Sequence, residues 1–208
     1  MTNAPTDQFP DRPTVAIVGG GICGLGIGWR LAAAGCAVDV FEKGKAGREA
    51  SWAAAGMLAA NVETEPGEEA LLALNLESQA AWPDFATELE AVSGVDLGYR
   101  DEGILVVAAH RDDAAELRNT YEFHRSLGLE VEWLTGGQAR RMEPHLAPGV
   151  SAAVSSVKDH QVDNRQLVRA LHEAFLRSGG RLHEDTTVEA IDVEVGQAKG
   201  IQVAGQRR

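Results

Sequence analysis

The fold is decided by the stretch Val15-Ala16-Ile17-Val18-Gly19-Gly20-Gly21-Ile22-Cys23-Gly24. It joins an apolar run, long enough for a buried parallel strand, to the glycine pattern G-x-G-x-x-G. The Ala- and Leu-rich segment that follows predicts a helix as far as Ala34, which Gly35 ends. A second strand is predicted from Ala37 to Phe41. The sequence therefore predicts a strand–helix–strand unit with a glycine-rich turn at the helix N-terminus.

The three glycines of the pattern have different physical roles. Gly19 makes the tight turn out of the strand, Gly21 lets the backbone approach a pyrophosphate, and Gly24 lets helix and strand pack closely. The helix N-terminus directs free N–H groups and its positive dipole end at the phosphates. Glu42 follows at close to the roughly 20 residues expected for an acid that binds ribose hydroxyls. These features predict a dinucleotide site. The alternative is a glycine-rich turn in some other α/β protein.

A second run of small residues comes after Glu42. Lys43 is a basic residue of the kind that binds a 2′-phosphate, but the carboxylate beside it would repel that group. The segment from Ser51 to Leu58 has almost no large or charged side chain apart from Trp52. Such a segment lets backbone come close to a flat ligand.

Arg48, Ser51 and the run from Ala53 to Leu58 resemble the second flavin motif of the D-amino-acid oxidase superfamily. Within that superfamily the chain is most similar to the glycine oxidases of thiamine biosynthesis. The resemblance implies an α/β fold class: an FAD/NAD(P)-binding Rossmann-like domain with an inserted α+β substrate domain, both incomplete at the C-terminus. The alternative for Ala53 to Leu58 is a plain Ala-rich helical turn.

The resemblance implies FAD as the cofactor, bound in an extended pose. The pyrophosphate would rest on residues 19–24, and the ribose of the adenosine would lie between Glu42 and Lys43. The isoalloxazine would lie against the small residues of the second motif, and the backbone of Val188 would contact the adenine. The cofactor-binding residues implied in this way are Gly19, Gly20, Gly21, Ile22, Cys23, Gly24, Glu42, Lys43, Arg48, Ala50, Ser51, Ala55, Gly56, Met57 and Val188.

The activity that the resemblance implies is oxidation of the amine of glycine or a small D-amino acid to an imine. O2 would be reduced to H2O2, and the reaction would belong to the synthesis of the thiamine thiazole. No catalytic residue is predicted, because hydride transfer to flavin does not strictly need a protein acid or base. Glu63 would lie on a lid over the active site, or it is a solvated acid among its acidic neighbours.

Two other functions are consistent with the same residues. One is an FAD-dependent dehydrogenase or demethylase acting on sarcosine-like or tRNA-linked amines. The other is a non-catalytic, truncated fragment that binds a dinucleotide. The expected partners are a small amino-acid or amine substrate and O2. Nothing in the sequence argues against a homo-oligomer of the full-length protein.

The rest of the chain predicts alternating helices and strands. Helices are predicted at 68–93, kinked or split at Pro83, at 112–127, and from a Thr135 cap to 142. Strands are predicted at 103–109, 131–134 and 151–157. The chain then returns with a helix capped by Asp163 or Asn164, a strand at 181–184, and a hairpin of 187–195 and 199–204. The predicted domains are a flexible leader (1–13), the first part of the FAD-binding domain (14–64), the start of the substrate-binding domain (65–160) and a returning FAD-binding segment (161–208).

The amino-acid composition argues against some classes of binding partner and indicates the cellular location. A net charge of −12 over 208 residues argues against nucleic acid and against an anionic membrane surface as partners. No signal peptide is visible, and the early apolar region is interrupted by glycines, Arg30 and Asp39, so we expect no membrane span and a cytoplasmic location. Cys23 and Cys36 are too far apart for a disulfide. The six histidines show no metal-ligand spacing, and no metal is predicted.

A flavin domain of this kind continues with another parallel strand. In the resembled family, that later region also carries the arginine that clamps the substrate carboxylate and the active-site tyrosines. No counterpart of these residues is present up to Arg208. We therefore expect this chain to be the N-terminal part of an oxidase and to bind FAD weakly by itself.

Overall fold

The structure, a computed structural model, describes residues 12–208. Of the predicted leader, residues 1–11 lie outside this part. The chain divides into two compact units. The first contains the chain up to Ala55, Thr87–Leu97 and Asp163–Arg208; the second contains Gly56–Ala86 and Gly98–Val162. Residues 87–97, inside the predicted substrate-binding segment, therefore belong to the first unit.

The helices and strands follow each other in an order that alternates through most of the chain. They are β1 (Thr14–Val18), α1 (Ile22–Ala33), β2 (Ala37–Phe41), α2 (Ala50–Ala53), β3 (Met57–Leu58), α3 (Glu69–Ser93), β4 (Ile104–Ala108), α4 (Arg111–Ser126), β5 (Val131–Thr135), α5 (Gly136–Met142), β6 (Ala152–Ser156), β7 (His160–Gln161), α6 (Asn164–Arg177), β8 (Arg181–His183), β9 (Val188–Glu194), β10 (Gln197–Val203) and β11 (Gln206–Arg207).

The first unit is built on a parallel sheet of three strands in the order β1-β2-β8. The predicted strand–helix–strand unit is confirmed, with α1 beginning at Ile22 and Gly35 adopting φ +92° just after the helix. The prediction that the first strand is buried is wrong for this part of the chain. β1 pairs only with β2 among the described residues, and Val18 is 56% exposed.

Helix α6 packs against α1 in this unit. Its predicted apolar face is confirmed, since Leu167, Val168, Leu171, Ala174 and Phe175 are all buried. The approach is close enough that a Cβ added to Gly28 of α1 would lie 3.1 Å from the Phe175 ring. This apolar face holds α6 against α1, with Phe175 packing near the C-terminal end of α6.

A small antiparallel sheet, in the order β11-β10-β9, follows the parallel sheet in sequence. The predicted hairpin about Gly196 is confirmed. Val195 and Gly196 form its turn, both with positive φ (51° and 74°), as two-residue hairpin loops require. Phe41 packs with Ile201 and Val203, so the hairpin is anchored to the end of β2.

The second unit contains an antiparallel sheet in the order β4-β6-β5. All five residues of β6 are buried, because apolar side chains cover both of its faces. Helix α4 contributes Ala114, Leu117 and Tyr121 to the core on one face, and α5 contributes Ala139 on the other. The Thr135 cap of α5 is confirmed: the Gln138 N–H donates to Thr135 Oγ1 at 3.3 Å.

Helix α3 is continuous through Pro83, so the prediction of a split at that residue is wrong. Proline removes one backbone hydrogen bond, but tertiary packing favours the helix on either side. Leu72, Gln79, Ala86 and Leu89 recur at heptad-like spacing and are all buried, whereas Pro83 is exposed. In residues 12–208, no helix is both long and apolar enough to pass through a membrane.

Candidate cofactor-binding site

The glycine-rich turn brings β1, β2 and α1 into unusually close contact. Gly19 has φ +107°, and its N–H donates to the Phe41 carbonyl at 2.8 Å. A Cβ added to Gly24 would lie 1.9 Å from the Gly19 carbonyl oxygen, a distance no side chain tolerates. The third glycine of the pattern therefore has the close-packing role predicted for it.

The carboxylate of Glu42 braces the same turn. It is buried, its Oε2 accepts a hydrogen bond from the Gly20 N–H at 2.8 Å, and its Oε1 accepts one from the Gly44 N–H at 2.9 Å. These bonds fix the carboxylate at the end of β2, next to the glycine turn. Each oxygen retains acceptor capacity, so the ribose contact remains a prediction.

The N-terminus of α1 is held by a residue of the second motif. Gly21 is the N-cap and has no side chain, so Ser51 Oγ accepts the Ile22 N–H instead, at 3.1 Å. The N–H groups of Cys23 and Gly24 donate to no such side chain in the described part of the chain. They retain the donor capacity that a helix N-terminus offers to an anion.

Asn164 holds the second motif in place, a role that the sequence did not indicate. Its side-chain amide donates to the Ser51 carbonyl at 2.7 Å and to the Trp52 carbonyl at 3.0 Å. The sequence left the α6 cap open between Asp163 and Asn164. The structure assigns it to Asp163, whose carboxylate accepts the N–H groups of Arg165 and Gln166. Asn164 is thereby free to bind the other segment.

A groove of about 380 Å³ lies over this turn in the first unit. Eight of the residues predicted to contact the cofactor line it: Gly19, Gly21, Glu42, Lys43, Arg48, Ala50, Ser51 and Val188. Thr186 and Thr187 also line it, and only their position beside Val188 could have indicated them. Lys43 forms an exposed ion pair with Glu49 at 3.0 Å, both at the groove.

The other predicted residues lie elsewhere. Gly20 is buried, and Ile22, Cys23 and Gly24 form the first turn of α1. Ala55 is exposed in the first unit, whereas Gly56 and Met57 belong to the second unit.

The guanidinium of Arg48 lies over the Trp52 ring, 3.9 Å from its centroid. It is therefore oriented by that ring in this structure.

A buried polar cluster in the second unit fastens the segment that contains Met57. Asp159 is fully buried, and its Oδ1 accepts the Asn61 N–H, the Asn61 amide and the Gln79 amide at 2.9, 2.8 and 2.9 Å. Its Oδ2 accepts the Val62 N–H at 3.0 Å. Glu63 follows this cluster as an exposed residue. Sequence reasoning missed the cluster, since its members are scattered along the chain.

Away from the groove, one carboxylate of the first unit, that of Asp39, has a lowered pKa. Arg181 Nε donates to Asp39 Oδ1 at 2.7 Å, and His183 Nε2 lies 2.7 Å from the same oxygen. The hydrogen bonds from Arg181, and then from His183, lower the pKa of Asp39 against the opposing effect of burial. Within residues 12–208, no group of three His, Cys, Asp or Glu side chains is placed to hold a metal ion.

Comparison with known proteins shows what the chain is similar to. Residues 14–208 match the family model described as DAO, FAD dependent oxidoreductase. A glycine oxidase of Geobacillus kaustophilus (strain HTA426) is 41% identical over 178 residues, which are 85% of this chain and 47% of that protein. A bifunctional protein ThiO/ThiG of Trichormus variabilis is 30% identical over 197 residues, which are 90% of this chain and 28% of that protein.

The solved structures agree with this relationship. The crystal structure of glycine oxidase from Geobacillus kaustophilus superposes with a TM-score of 0.83 at 38% identity, covering 92% of this chain and 51% of that one. This chain thus spans about half the length of the glycine oxidases it matches. Because the family model covers nearly all of the described residues, the chain belongs to the FAD-dependent oxidoreductases of the DAO family.

Proposed function

We propose that this chain is the FAD-binding part of an amine oxidase that acts on glycine or a small D-amino acid. One observation carries the FAD site. The groove over the glycine turn is lined by Gly21 and Ser51, beside the N-terminus of α1, and by the fixed carboxylate of Glu42 at the end of β2. That combination suits a ligand with an anionic pyrophosphate and a neutral, hydroxyl-bearing sugar.

The residues present fit such a ligand. Gly19 and Gly21 leave the turn without Cβ atoms on its open side, so a diphosphate is able to contact backbone N–H groups directly. The N–H groups of Cys23 and Gly24 would bind phosphate oxygens, and the Glu42 carboxylate would accept from ribose hydroxyls. Val188 would place its backbone beside the adenine at the groove. The resemblance adds Ala55, Gly56 and Met57 as the residues for the isoalloxazine.

The chemistry of the reaction comes from the cofactor. When bound, FAD would supply the two-electron oxidation of the amine to an imine, with O2 as the final electron acceptor. The contribution of this chain is to bind and orient. Its glycine turn and Ser51 would hold the phosphates, Glu42 would hold the sugar, and no described side chain is required to move a proton.

FAD binding tests the first half of the proposal. The protein would be titrated with FAD while the quenching of flavin fluorescence is followed. In Gly21→Ala the added methyl would lie 3.1 Å from Ser51 Oγ, at the mouth of the phosphate site. We expect this variant to bind FAD at least roughly tenfold more weakly, the loss of about one charge-assisted hydrogen bond.

Gly137→Ala is the matched control. Gly137 lies in α5 of the second unit, where the added methyl would meet no atom closer than 4.0 Å. Its affinity for FAD should equal that of the unsubstituted protein. Equal affinities for all three proteins would contradict the proposed site.

Substrate choice tests the second half. Release of H2O2 would be measured with glycine, D-alanine and sarcosine, using the full-length protein. Faster turnover of glycine supports the proposal, and exclusive turnover of sarcosine favours an N-methyl amine demethylase. If the protein binds FAD but oxidises none of these amines, the result favours a non-catalytic dinucleotide-binding protein.

A further inference from the structure

A second groove of the first unit carries positive charge, although the chain as a whole is acidic. It has a volume of about 560 Å³, and we refer to it as the basic groove. Three arginines, Arg48, Arg165 and Arg169, and the Trp52 ring contribute to its lining. This concentration of positive charge is unexpected in a chain whose net charge is −12.

The other charged groups of the basic groove already have partners. Lys45 forms ion pairs with Glu184 at 3.1 Å and with Asp185 at 2.7 Å. Asp163 accepts two backbone N–H groups as the cap of α6. Within residues 12–208, by contrast, Arg48, Arg165 and Arg169 form no ion pair with a carboxylate. The cations of the groove without a carboxylate partner are therefore the three guanidinium groups, which outnumber the one carboxylate, Asp163, that has no cationic partner among the described residues.

Trp52 orients two of these groups. Arg48 lies 3.9 Å and Arg165 lies 4.4 Å from the centroid of its ring. A guanidinium stacked on an aromatic ring keeps the N–H groups at its edge free, and it loses less conformational entropy when it binds. Asn164 in turn fixes the backbone of Trp52. Arg169 lies one helical turn after Arg165 on α6, on the same face.

We propose that the basic groove binds a phosphorylated small molecule. A carboxylate is planar and is satisfied by one guanidinium fork. A phosphoryl group is tetrahedral and carries more charge, so it is able to accept from several forks that converge from different sides. The volume of the groove is that of a small-molecule site. This site is separate from the proposed FAD groove, although Lys45 and Arg48 line both.

The test is calorimetric titration with inorganic pyrophosphate, at fixed ionic strength and with saturating FAD. Arg165→Gln/Arg169→Gln removes two of the three guanidinium groups and changes no residue that lines the FAD groove. Each exposed charge contributes modestly, so we expect the double variant to bind pyrophosphate roughly tenfold more weakly. FAD affinity should be unchanged in the same variant.

The matched control is Arg125→Gln/Arg141→Gln. Both arginines are exposed in the second unit, so this variant has the same change in net charge. It should bind pyrophosphate as the unsubstituted protein does. If both double variants bind pyrophosphate equally weakly, the effect comes from net charge and the proposal is overturned. An absence of saturable pyrophosphate binding would also overturn it.

Two further ligands separate phosphoryl recognition from mere anion attraction. Inorganic phosphate should bind more weakly than pyrophosphate, and succinate should bind more weakly than either. Succinate binding as tight as pyrophosphate would overturn the phosphoryl assignment, and tighter binding of a polyglutamate peptide would assign the groove to an acidic protein segment instead. If the unsubstituted protein binds pyrophosphate but not FAD, only the proposed FAD site is refuted. The double variant Arg165→Gln/Arg169→Gln tests the basic groove independently of FAD binding.

Discussion

The side chain of Asp159 offers the sharpest test of how the second unit is held together. It is fully buried, and four N–H donors converge on its two oxygens. In Asp159→Asn the side chain keeps its shape and one oxygen. The new amide nitrogen cannot accept, so in one orientation it faces the Val62 N–H and in the other it faces the donors of Asn61 and Gln79.

The magnitude follows from the donors left without an acceptor. One unsatisfied buried N–H costs about 1–3 kcal/mol, so Asp159→Asn should destabilise this region by about 2 kcal/mol. Asp159→Ala removes the acceptor of all four donors and should cost about 4 kcal/mol. The Asn61 and Gln79 side chains retain their mutual hydrogen bond of 3.1 Å, which limits the loss.

Amide hydrogen exchange is the suitable assay, because it reports local opening in a chain of two units. A loss of about 2 kcal/mol should accelerate exchange at Asn61 and Val62 by roughly 30-fold. Asp84→Asn, an exposed change on α3, serves as the control and should leave both amides unaffected. Exchange in Asp159→Asn at the rate of the unsubstituted protein would refute the claim that the carboxylate holds this segment.

Two other predictions concern the first unit. Gly24→Ala should lower the free energy of unfolding by about 3 kcal/mol, because its methyl would overlap the Gly19 carbonyl. Urea denaturation measures this loss, and unchanged stability would contradict the close approach of helix and strand. Asp39→Asn should cost about 1 kcal/mol near neutral pH, because the pKa of Asp39 is lowered in the folded state by its hydrogen bonds to Arg181 and His183. A lowered pKa stabilises the fold above the unfolded value of about 3.9, so the difference from the variant should shrink as the pH falls below about 4, and a difference independent of pH down to about 2 would disprove the assignment.

The sequence predicted the first unit well, because its signals are local. Each of these signals lies within one short segment of sequence: the glycine turn, the apolar run before it, and the apolar face of α6. The groove over the turn accordingly contains most of the predicted residues that belong to the first unit. The exposure of β1 was not predicted from its apolar sequence: among the described residues this strand pairs only with β2.

The roles of Asn164 and Asp159 show why other features could not be predicted. At the sequence level Asn164 is one of two adjacent cap residues, and nothing nearby indicates that its amide binds carbonyls at Ser51 and Trp52. Asp159 likewise is one acid among 31 acidic residues. Each acquires its role only when the fold brings together segments about a hundred residues apart.

These two residues also explain how small residues are able to form a defined site. The second motif consists mostly of alanine and glycine, which offer few side-chain contacts to hold a segment in place. In the structure, Asn164 fixes the beginning of that segment through two carbonyls, and Asp159 with Gln79 fixes its continuation, where the Gln79 amide donates to the Leu58 carbonyl at 3.0 Å. Polar side chains from elsewhere thus supply the order that the motif lacks. Substitution of either residue should therefore disturb the motif without changing any residue within it.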